Sequence, residues 1–220
     1  MAERDLKTKL DIERKVEKYR NENIFAKKGQ VVFVGSSLME MFPIEEFVKE
    51  SGSSRIVYNR GIGGYTTMDL LQTMDVCIYD LKPYRIFINI GTNDLSDADI
   101  EISQLIKRYE QILILLKDHL PQTEVYMMAY YPVNYEAATE EMRPCVEIRN
   151  NKKIEKANEE VKKLAAKYGE KYIDVNHSLK DAKGSLKQEY TIEGIHINEE
   201  GYRAIFEEVM SYVDEPLWEV

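Results

Sequence analysis

Five short apolar runs, each ended by glycine or a polar turn and each followed by a helical stretch, constrain this chain more than any other feature. They occupy residues 31–34 (Val-Val-Phe-Val), 55–58, 85–90, 124–130 and 171–175. Such runs of β-branched and aromatic residues, with little polar alternation, read as strands covered on both faces. Strands that alternate five times with helices imply a parallel sheet flanked on both sides. Right-handed crossovers leave few topologies. The expectation is a three-layer α/β/α fold with a five-stranded parallel sheet in the flavodoxin-like order 2-1-3-4-5.

The helical stretches follow from the same pass. Residues 3–26 are dense in Lys, Arg and Glu around a narrow apolar stripe, which reads as an N-terminal surface helix or a dimer contact. A second stretch ends near 49–52, and a third starts with Thr66 or Thr67 as N-cap and ends before Pro83. Further helices are expected at about 99–119, 150–168 and 199–212. The segment 131–149, with two prolines, reads as an excursion over the sheet edge. No repeat or linker divides the chain. We therefore expect one domain over 1–220, with the surface helix in 1–28 and the core in 31–213.

A chain of 220 residues can bury a substantial core. Its net charge of −9, without a basic cluster, argues against nucleic acid as the partner. No apolar run reaches the length of a membrane span, and the charged N-terminus does not resemble a signal peptide. Cys77 and Cys145 are far apart and lack metal-ligand spacing. The expectation is a cytoplasmic protein with reduced thiols, Cys77 lying in helix core.

Chemistry enters at the strand ends. Gly35-Ser36-Ser37 turns the first run into a helix, where a serine either caps the helix or presents a hydroxyl at the carboxyl end of the sheet. Asn59-Arg60-Gly61-Ile62-Gly63-Gly64 follows the second run, Gly91-Thr92-Asn93-Asp94 the third, and Glu193-Gly194-Ile195-His196 lies beyond the fifth. In a parallel sheet these gather at one end. A serine hydroxyl needs an adjacent base to become a nucleophile, and acyl transfer needs donors for the oxyanion. His196 supplies a base and Glu193 a carboxylate to orient it. The Ser37 and Gly64 N–H groups and the Asn93 amide supply a three-donor oxyanion hole.

These blocks, in this order over about 31–212, resemble the SGNH or GDSL-type hydrolase superfamily. The chain is similar to its small single-domain acylhydrolases, among them platelet-activating-factor acetylhydrolase catalytic subunits and bacterial carbohydrate acetylesterases. The resemblance assigns the nucleophile to Ser37 rather than Ser36, the oxyanion donors to Gly64 and Asn93, and the acid and base to Glu193 and His196. It implies a serine esterase that acts on a small-molecule ester through an acyl-enzyme. No long apolar lid is evident, which favours a short acyl group, acetyl first, and no His, Cys or carboxylate cluster has metal spacing, so catalysis without metal or cofactor is expected. Two positions depart from the family pattern. Ser36 stands where it has aspartate before the nucleophile, and Glu193 replaces the triad aspartate.

His177, after the fifth run, is the rival base, whereas His119 suits a helix end. The glycines do not make a dinucleotide fingerprint, because Thr66 stands at the third glycine position and the loop follows the second strand. A catalytically silent ligand-binding member is the alternative function.

Overall fold

The computed structural model describes residues 6–217. Its order is α1 (Leu6–Phe25), β1 (Val31–Gly35), α2 (Ser37–Glu40), α3 (Ile44–Glu50), β2 (Val57–Gly61), α4 (Thr67–Gln72), α5 (Met74–Cys77) and β3 (Arg85–Asn89). There follow α6 (Thr92–Leu95), α7 (Ile102–His119), β4 (Glu124–Met128), α8 (Arg143–Ile148), α9 (Asn151–Tyr168), β5 (Lys171–Ile173) and α10 (Glu199–Val213). The strands form one parallel sheet in the order β2-β1-β3-β4-β5, the expected topology. No described helix is long and apolar enough to cross a membrane.

Period-two alternation divides the sheet's side chains between two clusters. Val32, Val34, Ile86, Ile88 and Met127 pack with α5, α7 and α9. Val31, Phe33, Phe87, Tyr126 and Met128 face α3 and α10. Every residue of β1, β3 and β4 is buried, so these strands read as continuous rather than alternating apolar runs. On the second face Phe33 stacks on Phe87 at 4.6 Å, and Phe42 on Tyr202 at 4.8 Å. At the amino end of the sheet Arg85, fully buried, donates to Glu124 at 2.7 Å and to the Tyr212 and Val213 carbonyls at 2.7 and 2.9 Å. That pair ties the end of α10 to β3 and β4.

Local chemistry moved several boundaries. The helix after β1 is two pieces, because Pro43 has no N–H to continue α2 and stands at the N-cap of α3. The next helix breaks at Thr73, whose hydroxyl donates back to the Asp69 carbonyl at 3.0 Å and competes with the helical bond. β2 starts two residues later than expected and runs on to Gly61, pairing Asn59, Arg60 and Gly61 with Phe33, Val34 and Gly35. Only glycine fits at 61, since a Cβ there would lie 2.2 Å from the Glu40 nitrogen, so α2 rests directly on the strand end. The excursion after β4 contains α8 and docks on the loop before α10, through Asn134 N–H to Gly194 O at 2.8 Å and Leu186 N–H to Val133 O at 3.2 Å. Cys77 is fully buried in α5, as expected, and burial pushes its thiol up to about 11.

Candidate active site

Ser37 opens α2 immediately beyond β1. Neither serine side chain caps that helix: Ser36 makes no capping bond, and its Oγ lies 3.4 Å from Thr92 Oγ1. Ser37 Oγ instead lies 2.9 Å from His196 Nε2. On the other side of the ring, His196 Nδ1 is 2.6 Å from Glu193 Oε1, and the same oxygen accepts the His196 backbone N–H at 3.2 Å. A proton on Nδ1, held by the carboxylate, leaves Nε2 free to accept from the serine hydroxyl. Ser37 and the Glu193–His196 pair, which the sequence placed in two distant blocks, thus form one hydrogen-bonded series.

The loop that carries Glu193 and His196 is tightly closed. Ile192 N–H and Thr191 Oγ1 both donate to His196 O, at 2.9 and 3.0 Å, and Gly194 N–H donates to Thr191 Oγ1 at 2.8 Å. Six residues beyond His196, Tyr202 on α10 donates its hydroxyl to Leu38 O at 2.6 Å. That bond fixes α10, which follows His196, against α2, which carries Ser37.

Gly64 and Asn93 lie in the turns after β2 and β3, at the same end of the sheet. Gly64 has φ +79°, a backbone conformation that a Cβ disfavours, while the space around it is open. Asn93 Nδ2 donates to Tyr65 O at 2.8 Å, which joins the two turns. The amide carries two N–H groups, so one hydrogen remains for an incoming oxygen. Asp94, next in sequence, accepts from Thr67 N–H and Oγ1 at 2.9 and 2.7 Å and pairs with Arg108 at 3.2 Å. Thr66 caps α4 through a reciprocal bond with Asp69, settling which of the two threonines is the N-cap.

Sequence reasoning missed the part played by α1. Lys15 pairs with Glu40 at 2.8 Å, and Glu40 accepts the Gly63 N–H at 2.7 Å. Tyr19 donates to Gly61 O at 2.7 Å, and Asn23 to Val76 O at 2.7 Å. The helix therefore braces the loop that ends in Gly64. The signal was present as polar residues at positions 15, 19 and 23, one helical face.

The remaining histidines lie apart from this series. His177 is exposed in the 3-10 turn Asn176–Leu179. His119 bonds Leu115 O through Nδ1 at 3.0 Å and stacks on Tyr79, as a helix-end residue. A cavity of about 630 Å³ lined by Lys82, Tyr84, His119 and Leu217 opens at the amino ends of β3 and β4, away from Ser37. Among the described residues no three His, Cys, Asp or Glu side chains form a metal-binding group.

The chain is similar to several known proteins. A Streptococcus pneumoniae structure, provisionally described as a platelet activating factor, is 33% identical with a TM-score of 0.82, over 92% of both chains. The human platelet-activating factor acetylhydrolase IB subunit alpha2 is 29% identical over 107 residues, 48% of this chain and 45% of its own length. The N-acylneuraminate cytidylyltransferase of Escherichia coli is 22% identical over 93% of this chain and 46% of its own. The chain thus spans less than half the length of these curated relatives. A family model for GDSL-like lipases and acylhydrolases matches residues 44–204, which include Gly64, Asn93, Glu193 and His196 and begin just after Ser37. With its five-stranded parallel sheet and strand-end turns in the matching order, the chain belongs to the GDSL-like lipase/acylhydrolase family.

Proposed function

We propose that this member is a serine esterase that hydrolyses short-chain esters, acetyl above all, through an acyl-enzyme on Ser37. The observation that carries the reading is the series Ser37 Oγ to His196 Nε2 at 2.9 Å and His196 Nδ1 to Glu193 at 2.6 Å, beside the Gly64 and Asn93 turns. Ser37 Oγ attacks the ester carbonyl carbon while its proton passes to His196 Nε2. The carbonyl oxygen becomes an oxyanion, received by the N–H groups of Ser37 and Gly64 and the Asn93 amide. Collapse breaks the bond to the alcohol, which leaves with the proton from His196. Water then attacks the acyl-serine, giving its proton to His196, and the acid departs as Ser37 regains its hydrogen. Glu193 stays ionised and stabilises the imidazolium.

The proton inventory closes on these residues without calling on a metal. The acetyl preference rests on the relative whose name specifies acetyl hydrolysis, and on the absence of a long apolar lid helix among the described residues. Cys77 and Cys145 are free thiols, in keeping with a reducing compartment such as the cytoplasm. The test is p-nitrophenyl acetate hydrolysis, with labelling by a serine-directed fluorophosphonate. Ser37→Ala should abolish both, with a loss on the order of 10⁶-fold in kcat. Ser36→Ala should keep most activity, because its Oγ has only a long contact to Thr92. The reverse pattern would overturn the assignment.

A further inference from the structure

Arg149 follows α8 in the segment between β4 and α9 and is only 3% exposed. Its Nε is sealed from solvent without an acceptor, and among the described residues its guanidinium has neither a hydrogen bond nor an ion pair. A cation in that position is strongly unfavourable unless something neutralises it. Burial accordingly lowers the affinity of the side chain for its proton, opposed by the negative charge of Glu193. Glu193 is nevertheless no salt-bridge partner, since its Oε1 is engaged by His196 and no contact within 4 Å joins it to Arg149.

Its place in the fold gives this charge a use. One turn earlier on α8, Cys145 Sγ lies 3.3 Å from the hydroxyl of Ser96, the residue that ends α6 just after the Asn93 turn. On the other side Asn134 and Thr139, from the same excursion, bond the backbone of Gly194 and Glu193 at 2.8 and 3.4 Å. Arg149 thus closes a segment bonded on one side to the end of α6 and on the other to the Glu193 loop, near enough to Glu193 to feel its charge. In a protein of net charge −9, attraction for an anion has to come from local charges such as this one. A guanidinium offers five donors in a planar fork that matches an oxyanion group two bonds at a time.

We propose that Arg149 is the anion-recognising residue of this site, and that the natural substrate is a short-chain acyl ester whose alcohol part bears a compact oxyanion group, carboxylate or phosphate. The inference rests on the esterase reading and adds the class of alcohol to it. Substrate binding would supply the partner that the folded chain withholds. Arginine rather than lysine suits the role, because the fork orients the leaving alcohol as well as attracting it.

The experiment compares 3- and 4-acetoxybenzoate and the corresponding acetoxyphenyl phosphates with the neutral acetoxybenzamides, at low ionic strength. Wild type should prefer at least one anion about tenfold or more in kcat/KM, chiefly through KM. In Arg149→Met the ratio of anionic to neutral ester should fall to within about twofold of unity, and Arg149→Lys should recover part of it. Whichever of benzoate or phosphate esters shows the preference identifies the source of the oxyanion. Thermal shift with benzoate or inorganic phosphate gives a readout independent of turnover: either anion should raise the wild-type midpoint and leave that of Arg149→Met in place. No preference and no thermal shift in wild type would overturn the proposal, with or without a folded variant. So would a preference that survives in Arg149→Met. Failure of every ester, p-nitrophenyl acetate included, would count against the esterase reading itself, while the thermal shift would still decide the anion site.

Discussion

Replacing Glu193 tests the least conventional part of the site, and the geometry sets the size of the effect. A single oxygen, Oε1, accepts both the ring Nδ1 at 2.6 Å and the His196 backbone N–H at 3.2 Å. In Glu193→Gln the amide oxygen can occupy that point and keep both contacts. The ring tautomer then survives and the change removes charge alone. Two unit charges about 4 Å apart interact by about 4 kcal/mol at an effective dielectric of about 20. The side chains of Glu193 and His196 are 15% and 26% exposed, so solvent takes part of this. The charged hydrogen bond is worth roughly 1 kcal/mol more than a neutral one. A loss of about 2–4 kcal/mol of transition-state stabilisation follows, or about 30- to 10³-fold in kcat/KM. Glu193→Asp shortens the reach by one methylene but retains the charge. It should stay within about tenfold of wild type. The assay is p-nitrophenyl acetate hydrolysis by the three proteins, with melting curves as the control for folding. Wild-type activity in Glu193→Gln, together with an inactive His177→Ala, would refute the assignment of both base and acid.

Three further outcomes follow from single substitutions. Asn93→Ala should lower kcat by roughly 10²–10³-fold with a folded protein, read by steady-state kinetics, since in the proposed mechanism it removes an oxyanion donor. An unchanged kcat would remove Asn93 from the mechanism. Tyr202→Phe keeps the ring stacked on Phe42 but strips Leu38 O of the hydroxyl donor, costing about 1–3 kcal/mol and lowering the melting temperature by several degrees. Arg85→Ala leaves Glu124 buried and frees the Tyr212 and Val213 carbonyls, so denaturant titration should show a loss of about 3–5 kcal/mol.

The sequence alone determined the elements that repeat with a local period. The five strands were recognisable because both faces of β1, β3 and β4 are buried, which leaves unbroken apolar runs. Sheet order followed because crossovers between parallel strands are restricted in hand. The proximity of Ser37, Gly64, Asn93 and His196 followed because parallel strands all end on one side. What spans the chain had no such signature. Whether the Glu193 carboxylate reaches the ring depended on a closed loop held by Thr191, which brings the longer side chain to within 2.6 Å of it. The bracing of the Gly64 loop by Lys15 and Tyr19, the bond from Tyr202 to Leu38 and the seat of Arg149 between two loops join residues tens of positions apart. Local periodicity says which face of an element is apolar. The partner of a polar side chain is decided only when the elements pack, because until then water serves it equally well.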